Sequence, residues 1–542
     1  MSHGTREFIL GPLSFRLDFA TGFVRNIRFA GEDILRGIYP AVRDSGWGTV
    51  VPQVDEPVIQ EHPDRLHIRM SGTVVRGNID FRWIATVEAE ARGNLRYHWQ
   101  GQAHREFETS RTGLCVLHPA EAAGAPCSVE HTDGRRVAGW LPVSVSPHQP
   151  FVDVRAITHV VGPVETTVRF EGEVFEMEDQ RNWSDASFKT YCRPLAWPWP
   201  YRLKAGEAVT HTVTMTARAR PSAPRPKPAA HATVITPGSL PRLGFTISEP
   251  LPASLQARLR ALRPAHLRVD TDAARIDHIL DWAPAECHRL DCELLMAIRD
   301  ATTAPPKREA FPAQTTVHLF DARGNTATAD VVSAWHDAGF SSIGTGTVQH
   351  FAQLNRNRPA ASGPHTEVTF GINAQVHAFD DTSILETVSQ HNVLARQARA
   401  IAGGGAVSIA PLDFGPAAGS TDPRLHSDFG ALWLLGSLTE LAAAGVERVT
   451  FSRTHGLNGI LQEDLVSPIE AMLGSLARCT RSRLVEYAPG AAALHHALVV
   501  QHGDKREMLV PHLGDSATEL STPWVGPVRL EPRTLHRIPL PA

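Results

Sequence analysis

The hydrophobic period of this chain changes sharply after about residue 220, and that change dictates a fold of at least two parts. From Phe8 to about Thr216 apolar residues recur at every second position: Phe15, Leu17 and Phe19; Leu66, Ile68 and Met70; Phe81, Trp83, Ala85 and Val87; Leu95, Tyr97 and Trp99. Successive side chains point to opposite faces of a strand, so each run reads as a strand with one buried face. Turn residues such as Ala20-Thr21-Gly22 and Ala91-Arg92-Gly93-Asn94 separate the runs. Many short alternating strands without helices between them predict antiparallel sheets packed face to face, an N-terminal antiparallel β-sandwich over residues 1–220.

Closely spaced prolines from Pro221 to Pro228 mark the boundary, because proline cannot join a sheet ladder; residues 221–237 are expected to be a Pro-rich linker. Beyond Gly238 short apolar strands alternate with helical stripes. The strands expected are Leu243–Ile247, His266–Val269, Cys292–Ala297, Thr315–Phe320, Ser341–Gly344, Val368–Ile372, Ala406–Pro411 and Arg448–Phe451. Between them Leu255, Leu259 and Leu262, and again Leu432, Leu435, Leu438 and Leu441, lie on single helix faces. Eight such units have the count and size of a (β/α)8 TIM-like barrel over residues 238–484. Alternation returns after about Val485, predicting a small C-terminal β-domain over residues 485–542. The chain is thus read as a multidomain α and β protein.

Composition narrows the function. The 42% hydrophobic and 20% charged content with a net charge of −4 describe an ordinary globular chain. Its arginines are scattered among acids, which gives nucleic acid no footprint. No apolar run reaches the ~18 residues that span a bilayer, and no charged-then-apolar leader opens the chain, so a cytoplasmic protein without a membrane partner is expected. The six cysteines have no CxxC pair or framework spacing and read as reduced thiols.

Polar chemistry concentrates in Phe175–Tyr201, FEMEDQRNWSDASFKTYCRPLAWPWPY. Glu178, Asp179, Arg181, Asn182, Trp183, Asp185 and Lys189 crowd there among aromatic rings, a mixture suited to a sugar-like ligand. A solvated hairpin is the plainer alternative. Lys189 is one of five lysines in an arginine-rich chain, which suggests a compact ammonium is needed there. In a barrel, the residues that follow each strand face the mouth. These include Thr345 and Thr347, Asn373, Gln375 and His377, Asp413, and Arg453. In an extended chain Asn373, Gln375 and His377 would share one face; for His377 a structural histidine and a general base are equally compatible readings. Asp380 and Asp381 read as a helix cap, and Asn355 and Arg356 belong to a polar loop. The G-x-S-x-G elbow, HExxH, the phosphate loop and the dinucleotide fingerprint are all absent. A sandwich joined to a barrel suggests a glycosidase, yet the fourth strand lacks an Asn-Glu pair and the seventh ends in Asp413 rather than Glu.

The motifs EMEDQRNWSDASFKTYCRPL, RGIYPAVRDSGWGTVVP (Arg36 to Pro52), LNRNRP (Leu354 to Pro359) and FGINAQVHAFDDTS (Phe370 to Ser383) together resemble the D-apionate lactonase family. The resemblance implies hydrolysis of D-apionolactone to D-apionate in apiose catabolism, with a small sugar lactone as partner. It carries no residue roles. From chemistry alone, Glu178, Asp179, His377 and Asp413 are the acid–base candidates. Arg181, Asn182, Trp183, Asp185, Lys189, Asn355, Arg356, Asn373, Gln375 and Arg453 are the substrate-binding candidates. No cofactor is implied, although Glu178 and Asp179 are able to hold a divalent metal. A homo-oligomer stays open. A glycoside hydrolase with an atypical carboxylate pair and a non-catalytic carbohydrate-binding protein remain the alternatives.

Overall fold

A computed structural model describes residues 4–220, 230–234, 240–360, 363–416, 420–463, 465–487, 496–522 and 524–541. The chain forms two compact units, Met1–Arg181 with Ala186–Pro224, and Asn182–Asp185 with Arg225–Ala542. The proline run 221–228, expected to join two domains, lies outside the described residues.

The first unit is antiparallel β throughout. Strands Arg65–Arg76, Ile79–Glu90, Asn94–Ala103 and Ala208–Ala219 pair in succession, and Val164–Glu171 and Phe151–Val161 continue the ladder. A second run passes from Thr5–Leu10 through Leu13–Asp18, Phe23–Phe29, Glu32–Val42 and Thr112–Pro119 to Ser187–Cys192 and Phe175–Asp179. The alternation in the sequence explains the packing. Phe15, Leu17, Ile68, Met70, Phe81, Val87, Tyr97 and Trp99, one from every second position, join a single apolar core. Phe175–Asp179 and Ser187–Cys192 form a hairpin of this unit, linked by the short 3-10 turn Gln180–Trp183.

The second unit holds a closed barrel of eight parallel strands: Arg242–Thr246, His266–Asp272, Glu293–Arg299, Thr315–Leu319, Ile343–His350, Glu367–Asn373, Ala406–Asp413 and Arg448–Phe451. All eight expected strands are present. The fifth differs most, because it runs six residues past Gly344 to His350. The strand was expected to end at Gly344, yet the chain bulges between Gly346 and His350 and stays paired with its neighbour. Thr345 and Thr347, placed at the mouth by the sequence, are therefore buried within the strand, where their hydroxyls donate to Leu319 O and Gly324 O.

At the N-terminal end of the barrel, buried charges are matched. The Glu367 carboxylate meets His318 Nε2 at 2.7 Å and Arg448 Nε at 3.4 Å, and Arg448 also donates to Glu293 at 3.0 Å. Gly244 and Gly344 make room for this layer, since a Cβ there would come within 2.0 Å of His266 and 2.4 Å of His318.

Helix Asp381–Ile401 starts at Asp380, whose carboxylate accepts from Ser383 N, as the capping expectation required. Helix Asp428–Ala443 is buried on all sides, which its leucine-rich sequence allows, because it packs both on Asp381–Ile401 and on the C-terminal sheet. That sheet begins at Arg481 rather than Val485. It also recruits Ala230–Val234, part of the stretch expected as linker, which pairs with Arg481–Tyr487 and Thr518–Ser521.

Although burial alone would raise it, the Glu367 pKa is held down to about 2 by His318 and Arg448. A depressed carboxylate contributes stability that is complete above its unfolded pKa of about 4.3 and is lost as pH falls through the folded value. Glu367→Gln, which leaves Arg448 and His318 without their shared anion, should lower stability by about 3–5 kcal/mol near neutral pH. Urea unfolding of wild type and variant should show the gap closing between about pH 4 and pH 2.

Candidate active site

Residues 192 positions apart meet in the second unit. His377 Nδ1 lies 2.6 Å from Asp185 Oδ2. An ionised carboxylate only accepts, so Nδ1 carries the proton and the Nε2 lone pair is left to act as a base. Both side chains are largely buried, at 19% and 17% exposure, which strengthens the contact without sealing it.

Three further groups surround this dyad. The Trp183 ring stands edge-on to His377 at 5.8 Å and to His350 at 5.3 Å, and the Arg356 guanidinium lies 5.9 Å from its centroid. His350 closes the fifth strand and precedes the short helix Phe351–Arg356, which carries Asn355 and Arg356. Asn355 Nδ2 donates to Asn182 Oδ1 at 3.1 Å, and Arg358 donates to Asn355 Oδ1 at 2.7 Å. Burial first, and then His377, push the His350 imidazole down to about 4, against the pull of Asp185. It is neutral at pH 7, with a buried Nδ1 that has no partner among the described residues.

The structure thus brings together Asn182, Trp183, Asp185, Asn355, Arg356 and His377 from the expected set. His350 was missed. It ends a strand that was expected to stop at Gly344, six residues earlier. Asn373, Gln375 and His377 do not share a face, since the sixth strand ends at Asn373 and the chain then turns. Asn373 Nδ2 donates to Gly415 O, while Gln375 Nε2 donates to Phe414 O and Asp422 Oδ2. Both amides brace the loop after the seventh strand. Asp413, at the end of that strand, accepts from Ser452 Oγ and Gly415 N; burial raises its pKa in spite of these bonds. The Arg453 guanidinium makes a long contact, 3.4 Å, to Leu457 O.

Four expected site residues serve the first unit instead. Both Asp179 oxygens are gripped by Arg181, at 2.8 and 2.7 Å, and Oδ2 also accepts from Ser146 N. Arg181 in turn donates to Pro142 O and Val143 O. A carboxylate with no exposed side-chain surface, clamped this way, holds a loop. Glu178 pairs with the buried Lys189 at 3.2 Å across the hairpin. Burial lowers the Lys189 pKa, and Glu178 opposes the shift. With their charges already matched by Lys189 and Arg181, Glu178 and Asp179 make a poor pair of metal ligands.

Residues 2–220 match the family described as D-apionate lactonase, N-terminal domain, and residues 325–481 match the D-apionate lactonase TIM barrel domain. The D-apionate lactonase of Brucella anthropi is 30% identical over 530 residues, which cover 84% of this chain and 85% of that protein. The chain belongs to the D-apionate lactonase family. Solved structures resemble it more loosely. A GH51 arabinofuranosidase from Xanthomonas axonopodis pv. citri is 13% identical with a TM-score of 0.38, over 58% of this chain and 98% of its own. Galactose 1-epimerase from Lactobacillus acidophilus NCFM is 7% identical with a TM-score of 0.26, over 40% and 98%. Neither likeness is close enough to bear on activity.

In this lactonase-family chain one group has metal-ligand composition among the described residues, Glu173, Cys192 and His211 in the first unit. Its internal bonds oppose a metal. His211 Nδ1 accepts from Leu114 N, which leaves the ring proton on Nε2, the nitrogen that faces Glu173 at 3.7 Å. Burial pushes the His211 pKa down to about 4 and shifts those of Glu173 and Cys192 upward, while Arg193 pulls Glu173 the other way. A ligand carboxylate and thiol would both have to ionise.

NMR titration of the imidazole groups should place the His350 midpoint near pH 4. Trp183→Ala, which lets water reach the ring, should move that midpoint up toward the ordinary value of about 6.5.

Proposed function

We propose that the chain hydrolyses a sugar lactone, D-apionolactone to D-apionate, at the Asp185–His377 dyad. The 2.6 Å contact of that dyad carries the reading, because it prepares a base where the barrel strands end. His377 Nε2 takes a proton from water, and the hydroxide so formed adds to the lactone carbonyl. Asp185 keeps the imidazole in the required tautomer and stabilises the imidazolium. His350, held neutral, donates an N–H to the developing oxyanion. When the tetrahedral intermediate collapses, the bond between the acyl carbon and the ring oxygen breaks. The proton held on His377 passes to the departing alkoxide. The product is an open hydroxy acid and the dyad returns to its starting state.

Trp183 offers a ring against sugar C–H faces, and Arg356 a cation for the carboxylate product. The steps are redox-neutral and route no electrons or charge through a cofactor, so none is assigned. A cytoplasmic, reducing location suits six cysteines that are all free.

A pH-stat assay on D-apionolactone and several aldonolactones should show acid release; no rate above background on any of them would reject the reading. Turnover of nitrophenyl glycosides would transfer it to the glycosidase alternative. Asp185→Asn and His377→Ala should each lower kcat by roughly 100- to 10,000-fold with an unchanged circular dichroism spectrum. The double variant should be little worse than either alone, because groups acting as one unit are not additive. His350→Ala should cost a further factor of about 100 or more when made in the wild type, the usual loss for one oxyanion donor.

A further inference from the structure

Three arginines of the C-terminal sheet surround a cavity of about 230 Å³ that is separate from the dyad in sequence and in lining. Arg481, Ser482, Arg483, Gln501 and Arg506 supply its polar wall, and no carboxylate is among the described lining residues. Strand register explains the convergence. Arg481 is paired with Gln501 on the next strand, and Gln501 with Arg506 on the one beyond, so the three side chains share a face. Arg483 lies two residues along from Arg481, on that same face. Strand spacing therefore sets Arg481 about 7 Å from Arg483 and about 10 Å from Arg506, with Gln501 in the middle.

This arrangement is costly without a counterion. Like charges on neighbouring positions of one sheet face repel. Among the described residues neither Arg481 nor Arg483 has a hydrogen-bond or ion-pair partner for its guanidinium, and Arg506 makes one long bond, 3.4 Å, to Pro541 O. Nearby Glu507, which would be the natural neutraliser, is paired with Arg537 and lies on the opposite face, in register with Val500. In a chain whose net charge is −4, three uncompensated cations around one cavity call for an anion. Planar guanidinium forks approaching from three directions match the several oxygens of a tetrahedral phosphoryl group better than the two of a carboxylate.

We propose that the pocket lined by Arg481, Arg483, Gln501 and Arg506 is a binding site for a phosphoryl group, either free phosphate or a small phosphate ester. Isothermal titration of the full chain at 0.15 M NaCl tests it, with inorganic phosphate, ribose 5-phosphate and gluconate as probes. Saturable binding of inorganic phosphate, weakened roughly tenfold by R483Q and abolished in the R481Q/R483Q/R506Q variant, is the expected result. Tighter binding of ribose 5-phosphate than of inorganic phosphate would support the site and assign an ester as its ligand. No saturable binding of either phosphate probe up to about 20 mM, equal binding of gluconate, or binding unchanged in the triple variant would each overturn the proposal. The substituted side chains are surface-facing, and an unaltered melting temperature of the triple variant in phosphate-free buffer shows that it is folded. Lactone turnover in that buffer should equal wild type, so the outcome is independent of the reading of the dyad.

Discussion

Closure of eight parallel strands is the constraint on which the candidate site depends. A closed barrel has no free edge, so every strand end is held by two neighbours, and a residue leaving such an end is positioned to a fraction of an ångström. His350 and the turn that carries His377 follow the ends of adjacent strands, the fifth and sixth. Closure in turn rests on compensated charge at the opposite end. Glu367 is the only acid that touches both His318 and Arg448 among the described contacts, and without it a buried guanidinium and imidazole would face each other.

The dyad has the logic of a base oriented by a carboxylate, achieved with a minimum of parts. Asp185 belongs to a four-residue tip, Asn182–Asp185, that is part of the barrel's unit, while the chain on either side belongs to the first unit. The same tip brings Trp183 against two imidazoles and Asn182 onto Asn355. One short segment therefore holds His377, covers the neighbouring histidine and supports the helix that carries Arg356. The hairpin of the first unit is stiffened by ion pairs, Asp179 with Arg181, both buried, and the partly exposed Glu178 with the buried Lys189.

Much of this architecture was legible from the residues. The antiparallel β unit and the barrel both follow from hydrophobic period, because burial of one strand face or one helix face is a local demand that local sequence must meet. The count of eight strands, the caps at Asp380, and the stretch from Phe175 as the bearer of polar chemistry were all readable in this way. Family motifs were also readable, since they are long runs of residues.

What the sequence by itself determined is the type and order of elements and the neighbourhood of the chemistry. The tertiary structure alone decided which polar groups are free to react. Asp179 and Asp185 are six residues apart and chemically alike, yet one is closed by Arg181 and the other meets an imidazole 192 residues away. The fifth strand runs past its expected end at Gly344 through a bulge, so His350 emerges only when strand pairing is known. Pairing across such distances depends on register and on how a closed sheet brings strand ends together, and no local pattern records either.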